Sequence, residues 1–329
     1  MSPARRTCAL AALLLAACGA PHTRDIGALD ERFAPRPWTV VSLGSAQDAG
    51  MPHLGCFAET CEQARATGTR AAVASLAIVG EEDWYLVDAT PDLPEQVHRM
   101  GSLPSGVLLT HAHIGHYSGL MFLGKEGMHA RGMPVWCSSA MADFLRGNAP
   151  WSQLVTLGNI DLRPFDDGRW EGECFPLASG LAVTALRVPH RDEFADTWAF
   201  SISHALSAEL PRPVLYLPDI DRWEDWEMDI VEVAGRHAAV VVDATFWDDG
   251  ELGGRDMSGI PHPRVRATMD LLQPLVDAGT CEVVFTHLNH TNPLWDPGSP
   301  EALELRRRGF RCTWPDGWRY ALRDSVRAR

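Results

Sequence analysis

Five short apolar runs of this chain each end on a side chain able to bind a metal or carry a proton: Asp88 after WYLV, His111 after GVLLT, His190 after LRVP, Asp219 after VLYLP and His287 after VVFT. A core strand gains nothing by finishing on histidine or aspartate. Loops at strand ends, by contrast, are where a rigid sheet presents a converging set of polar groups. The runs are short and β-branched, which marks them as strands. Strands are expected over 38–44, 71–80, 84–88, 106–110, 181–188, 198–203, 213–219, 238–245 and 282–287, and helices over 118–127, 138–147, 223–234, 263–277 and 300–308. No repeat of fixed period and no linker after residue 36 divides the chain. With 46% hydrophobic and 22% charged residues the chain can bury a substantial core, so the pattern reads as one α/β domain with helices on the outer faces of its sheet.

The densest cluster is LLTHAHIGHYSGL, 108–120, which holds His111, His113 and His116. His111 and His113 flank one residue, so in an extended segment they point the same way, and His116 follows a turn later. Imidazole suits zinc, iron and manganese, and a catalytic site needs three or four such ligands with one position open. His190, Asp219 and His287 would complete it. The formal net charge of -14 argues against a nucleic-acid partner, because phosphate attraction to a basic face supplies most non-specific affinity. A small-molecule substrate drawn to a local positive site fits better.

The first residues, MSPARRTCALAALLLAACGA, have two arginines, an apolar run and then small residues, the layout of a secretory signal. Leu15-Ala16-Ala17-Cys18 resembles a bacterial lipobox, so residues 1–17 are expected to leave as a signal peptide, with Cys18 lipidated as the first residue of the mature chain. Gly19 is permissive for outer-membrane sorting. Residues 18–36, rich in Pro, Arg and Asp, then form a tether, and 37–329 form the domain. The expected location is the periplasmic face of a bacterial membrane, touched only through the lipid. Of the other cysteines, Cys56, Cys61, Cys137, Cys174, Cys281 and Cys312 are an even set in a chain expected to reach an oxidising compartment. Cys56 and Cys61 read either as a disulfide or as half of a structural metal site that includes two further ligands; Cys137 and Cys281 read as buried thiols.

THAHIGH with His190, Asp219 and His287 resembles the metallo-β-lactamase fold superfamily, whose signature is HxHxDH followed by a histidine, an aspartate and a final histidine. LGSAQDAGMPHLGC (43–56), VDATPD (87–92), VPHRDEFADTWAF (188–200), YLPDID (216–221), VDATFW (242–247), IPHP (260–263) and THLNHTNP (286–293) are similar to coenzyme PQQ synthesis protein B and its relatives. tRNase Z and the cyclic phosphodiesterase of phosphonate metabolism are hydrolytic cousins. The resemblance spans the chain from residue 38 onward. It implies an αββα sandwich of two mixed sheets covered by outer helices, with metals in a cleft at one edge. Carried over residue by residue, His111, His113 and His190 would hold a first metal, Asp219 would bridge, and His116, Asp219 and His287 would hold a second. Zinc is the expected ion, one or two per chain, with iron and manganese as the alternatives.

The superfamily carries a metal-binding aspartate where this chain has Gly115. Glycine offers no donor, so the second site is weaker, differently completed or empty. His290 is a candidate replacement, or else a loop residue hydrogen-bonded to the backbone.

A metal-bound water is acidified toward neutrality, which makes hydrolysis of a small ester, lactone or phosphodiester the default chemistry. The leaving group still needs a proton. His262 stands where the phosphodiesterase cousins carry a catalytic histidine, and reads either as that general acid or as a loop histidine between two prolines. Asp88 is expected to orient a ligating histidine from outside the metal's own ligands. Asp243 is expected to do likewise or to cap a strand end. His53 and Cys56 in PHLGC line the cleft or build a structural site. The acidic run DIDRWEDWEMD (219–229), beyond Asp219, reads as a solvated helix face. Of the twelve tryptophans, Trp223, Trp226, Trp247 and Trp295 pack in the core or wall a pocket. Two further readings share these residues: an iron-dependent oxidoreductase or hydroxylase of the PQQ-synthesis-protein-B type, and a binding or carrier protein that has kept the fold without catalysis.

Overall fold

The β-branched runs pair into sheets in the computed structural model, which describes residues 38–166, 174–178, 180–204 and 212–322. The expected leader 1–17, Cys18 and the tether 18–36 lie outside the described residues. The first sheet takes β1 (Thr39–Gly44), β2 (Ser75–Val79), β3 (Trp84–Val87), β4 (Gly106–Leu108), β5 (Met133–Cys137) and β6 (Ile160–Pro164) in chain order, and the second takes β7 (Cys174–Ala178), β8 (Leu181–Val188), β9 (Thr197–His204), β10 (Val214–Leu217), β11 (Ala239–Asp243), β12 (Glu282–Thr286) and β13 (Arg311–Cys312). The chain then returns to the first sheet, where β14 (Arg319–Ala321) pairs antiparallel with β1. Both sheets are mixed. Strands β3 to β6 run parallel, as do β10 to β13, while β7 to β10 alternate in direction.

The helices among the described residues are α1 (Glu59–Thr67), α2 (Leu93–Met100), α3 (Ile114–Tyr117), α4 (Ser139–Gly147), α5 (Trp151–Thr156), α6 (Ile230–Gly235), α7 (Val265–Asp277) and α8 (Pro300–Arg307). Parallel neighbours need a crossover; α2 makes it between β3 and β4, and α7 between β11 and β12. Alternate residues of each central strand feed two cores. Val40, Ile78, Tyr85 and Val87 of the first sheet meet Val183, Phe200, Tyr216 and Val241 of the second. On the outer faces, Leu86 and Val107 pack under Leu93 of α2 and Leu145 of α4, and Leu215 and Val242 pack under Val233 of α6 and Met269 of α7. Each fully buried side chain of this size contributes about 1.5–3 kcal/mol, so strands apolar on both faces are stable only between two such layers. The result is the expected αββα sandwich.

Two expected helices differ. Over 118–127 the chain forms only a 3-10 turn, Ser118–Leu123, after α3. Gly119 N–H donates to the Ala89 carbonyl at 2.8 Å, and a Cβ on Gly119 would overlap the Thr90 carbonyl oxygen, so the turn is drawn against the loop after β3. Over 223–234, α6 begins only at Ile230, where the Asp229 side chain accepts from Val231 N–H at 2.7 Å. Trp223 and Trp226 before it are buried. The acidic run is therefore not one solvated helix face. Trp247 and Trp295 are buried in the same core.

Candidate metal centre

The C-terminal ends of β3 and β4 in one sheet and of β8, β10, β11 and β12 in the other meet along one edge of the sandwich. Ligand sites of open α/β sheets lie at such ends. The last residue of β11, Asp243, and the loops that leave the other strands, with Asp88, His111, His190, Asp219 and His287, supply the polar groups, all buried. Asp219 is the hub. Its Oδ2 lies 3.4 Å from His111 Nε2, 3.4 Å from His116 Nε2 and 3.3 Å from His287 Nε2, and its Oδ1 lies 3.3 Å from His190 Nε2 and 3.2 Å from His262 Nδ1. His113 joins through Nδ1, 3.1 Å from His190 Nε2. One donor atom each from His111, His113, His190 and Asp219 lies within 4.8 Å of the others, and the same holds for Asp48, His116 and His287.

Each inward-facing imidazole is held by its other nitrogen. His116 donates from Nδ1 to Asp88 at 2.8 Å, and His190 donates from Nδ1 to Asp221 at 2.8 Å. His111 Nδ1 is 2.9 Å from Thr110 Oγ1, whose hydroxyl in turn donates to Asp88 at 3.0 Å. His287 Nδ1 is 3.1 Å from Thr245 Oγ1, and His113 donates from Nε2 to Glu193 at 3.3 Å. Such partners fix ring orientation and tautomer and turn the remaining lone pair inward. Among the described residues, three of the four non-glycine residues with positive φ are here: Asp88 at 67°, His262 at 79° and His287 at 65°. Strain of this kind persists where the surroundings over-determine the backbone, and it clusters at sites.

The tetrapeptide VDAT occurs at 87–90 and again at 242–245, once per sheet, and does the same work twice. Asp88 accepts from Thr110 N–H at 2.9 Å as well as from His116. Asp243 accepts from Thr245 N–H at 2.8 Å and from His262 Nδ1 at 2.7 Å. His262 is thus anchored by Asp243 through Nδ1, which leaves Nε2 as the nitrogen able to serve a ligand.

Charge follows the geometry. Burial pushes the His111 imidazole well below its usual range, with the charge of His116 adding to it; burial and His190 push His113 down. A neutral imidazole is the metal-binding form. Burial opposes ionisation of Asp219, yet His287 and His190 outweigh it and hold the carboxyl well below its usual range. Burial also opposes a charge on His262, but Asp243 raises it to about 9. Asp48 Oδ1, His111 Nε2 and Asp219 Oδ1 are buried without a hydrogen-bond partner, although buried polar atoms are almost always paired. Imidazole nitrogens and carboxylate oxygens converging with unspent lone pairs fit a zinc, iron or manganese ion.

His290 stands elsewhere. Its Nδ1 is 3.9 Å from Cys61 Sγ, its ring lies 4.3 Å from that of His53, and its donor atom groups with those of Cys56 and Cys61 rather than with His287. The three-residue step past His287 carries it out of the Asp219 cluster and against His53 and Cys61, on the segment that enters α1. Cys56 and Cys61 are free thiols, as are Cys137, Cys281 and Cys312.

Four polar residues of the cluster go unnoticed in the sequence. Asp221 lies inside the acidic run, Thr245 and Glu193 sit in loops without periodicity, and Asp48 belongs to the turn AQDAG. The only signal for Asp221 and Thr245 is their spacing of two residues from an aspartate at a strand end.

The role of Asp88 is open to a direct check. Asparagine tolerates the positive φ and keeps the shape, so Asp88→Asn is expected to fold while weakening zinc affinity by about 10- to 100-fold. Competition with a chromophoric chelator measures it. An unchanged affinity would mean that Asp88 does not support the metal ligands.

The family model described as the beta-lactamase superfamily domain matches residues 83–288. Coenzyme PQQ synthesis protein B of Cupriavidus necator is 27% identical over 317 residues, covering 85% of this chain and 98% of that protein. The Azoarcus sp. protein of the same name is 27% identical over 306 residues, covering 83% and 96%. Among solved structures, Zn(2+)-bound PqqB from Methylobacterium extorquens superposes with a TM-score of 0.70 at 21% identity, covering 86% of this chain and 100% of that one. A diphosphatase from the PhnP family gives 0.59 at 17% identity, covering 87% and 98%.

Proposed function

This chain belongs to the β-lactamase superfamily, and from that premise we propose that it is a metal-dependent hydrolase acting on a small ester, lactone or phosphodiester. The observation that carries the reading is the buried Asp219 carboxylate, faced by His111, His116 and His287 on one oxygen and by His190 on the other. His111, His113, His190 and Asp219 would hold one ion; His116, His287 and Asp219 face a second position. When bound, a divalent metal supplies Lewis acidity and a water acidified to near neutrality.

The chain's own residues do the rest. Asp219 stands between the two groups and fixes their separation. Asp88, Asp221, Thr245 and Glu193 hold the rings so that little reorganisation accompanies reaction. His262, kept protonated by Asp243, is the proton donor to a departing oxygen. Entry is from the side of His113 and Glu193, whose side chains are 14% and 50% exposed. Ile114 and Phe194, next to them in the chain, are exposed apolar residues that offer a surface to an apolar substituent.

The likeness to coenzyme PQQ synthesis protein B over 85% of the chain supports a second reading, an iron-dependent oxidoreductase that uses the same residues. One experiment separates the two. Protein stripped with a chelator is reloaded with zinc or with ferrous iron and assayed with activated esters, lactones and phosphodiesters, with and without dioxygen. Hydrolysis that disappears on stripping and returns with zinc in the absence of dioxygen is the expected outcome. Turnover that needs iron and consumes dioxygen would replace the hydrolase by the oxidoreductase.

A further inference from the structure

Gly115 leaves the HxHxDH-like motif one carboxylate short, and the structure shows what stands in that place. A Cβ built on Gly115 would lie 2.7 Å from Asp48 Cα and 2.8 Å from Asp48 Cβ, and closer still to Oδ1. The side chain of Asp48 therefore fills the volume that a side chain at 115 would need. Its Oδ1 lies 3.3 Å from His116 Nε2 and 3.8 Å from His287 Nε2, and is buried without a hydrogen-bond partner.

The backbone holds Asp48 there. Gln47 N–H donates to the Leu288 carbonyl at 2.9 Å and Leu288 N–H donates to Ser45 at 2.8 Å, while Ala46 bridges to Val73 as well as to Leu288. The turn after β1 is stitched to the residue that follows His287, so Asp48 and His287 are carried on one joined piece of backbone. Gly50 N–H closes the turn on Gln47 at 2.8 Å.

We infer that Asp48 supplies, from the turn after β1, the carboxylate that the motif lacks at position 115, so that Asp48, His116, His287 and Asp219 hold a second divalent metal ion beside the one held by His111, His113, His190 and Asp219. The inference rests on the metal-dependent reading of the Asp219 cluster. Two carboxylates and two imidazoles are the donor set that an aspartate at 115 would have made; the donor has moved along the chain and stayed in space. Gly115 and Asp48 are then a matched pair. Any larger residue at 115 displaces Asp48, and loss of Asp48 leaves His116 and His287 with Asp219 alone.

Zinc content per chain and zinc affinity, measured on purified protein by elemental analysis and chelator competition, test the pair. Asp48→Ala is expected to lose one zinc per chain and keep the other, with the second ion weakened by more than the about 10- to 100-fold that attends loss of an outer partner. Gly115→Asp alone, crowded by Asp48, is expected to lower the melting temperature without adding metal. The double variant Asp48→Gly/Gly115→Asp is expected to regain the lost ion, which a merely structural role for Asp48 would not produce. Full zinc content and unchanged affinity in Asp48→Ala would overturn the inference, as would a folded double variant that stays one ion short. Wild-type protein that binds no zinc at the Asp219 cluster would instead overturn the metal-dependent reading, and this inference with it.

Discussion

Replacing His262 by asparagine is expected to slow hydrolysis of a substrate with a poor leaving group by about 10²- to 10⁴-fold, the usual worth of a positioned general acid, while metal content stays at the wild-type level. The expectation follows from where the ring is anchored. His262 Nδ1 donates to Asp243 at 2.7 Å and also faces Asp219 Oδ1 at 3.2 Å. Burial works against the charged ring, yet Asp243 raises it to about 9, so the imidazolium is the form the site keeps. A group so held gives up a proton only to something more basic, and a departing alkoxide is such a base. Asparagine tolerates the backbone at φ 79°, so the variant separates the proton from the fold. Esters of p-nitrophenol leave without a proton, and on them the same variant should lose little. Equal losses on both substrates, or a fall in metal content, would remove His262 from the role of acid.

The second large effect belongs to Asp219. Asp219→Ala is expected to empty both metal positions and to reduce turnover by at least the roughly 10²- to 10³-fold that attends losing one preorganised electrostatic group. Its two oxygens face both halves of the cluster: His111, His116 and His287 on Oδ2, and His190 on Oδ1. Without the carboxylate the imidazoles lose the negative charge that their convergence needs. Asp219→Asn distinguishes charge from shape. It keeps the outline of the side chain and one of its two oxygens without the charge, and an activity between alanine and wild type is expected. Kinetics on all three proteins, with circular dichroism to confirm folding, measure the effect.

Of the ligating side chains, His111, His190, Asp219 and His287 are legible because each follows an apolar run, and His113 and His116 because they share one short segment with His111. Strand ends in an α/β fold converge, so the sequence alone groups Asp88, His111, His190, Asp219 and His287. The runs that are apolar on both faces imply a sheet covered by helices, and the resemblance of the histidine motif implies the two-sheet sandwich. Other elements carry too little pattern. β6 exposes alternate residues, β13 spans Arg311–Cys312 and β14 spans Arg319–Ala321, and none offers a continuous apolar run. Within 219–229 Asp221 is hidden, since an acidic run gives no hint that one member turns inward. Asp48 was hidden for a different reason. Its position depends on β-bridges between segments far apart in sequence, and no local periodicity reports such a contact. His290 misled in the opposite sense, because nearness in sequence to His287 did not bring it near in space. Gly115 was the one visible sign that a donor had to come from elsewhere.

The most direct measurement is the zinc content of Asp219→Ala against wild type, each loaded with excess zinc, desalted and analysed by mass spectrometry of the metal. A comparison between the two cancels any ion held by Cys56, Cys61 and His290. The expected result is a variant two zinc ions per chain poorer than wild type. Equal zinc content in the two proteins would contradict the Asp219-centred metal site and, with it, the hydrolytic reading.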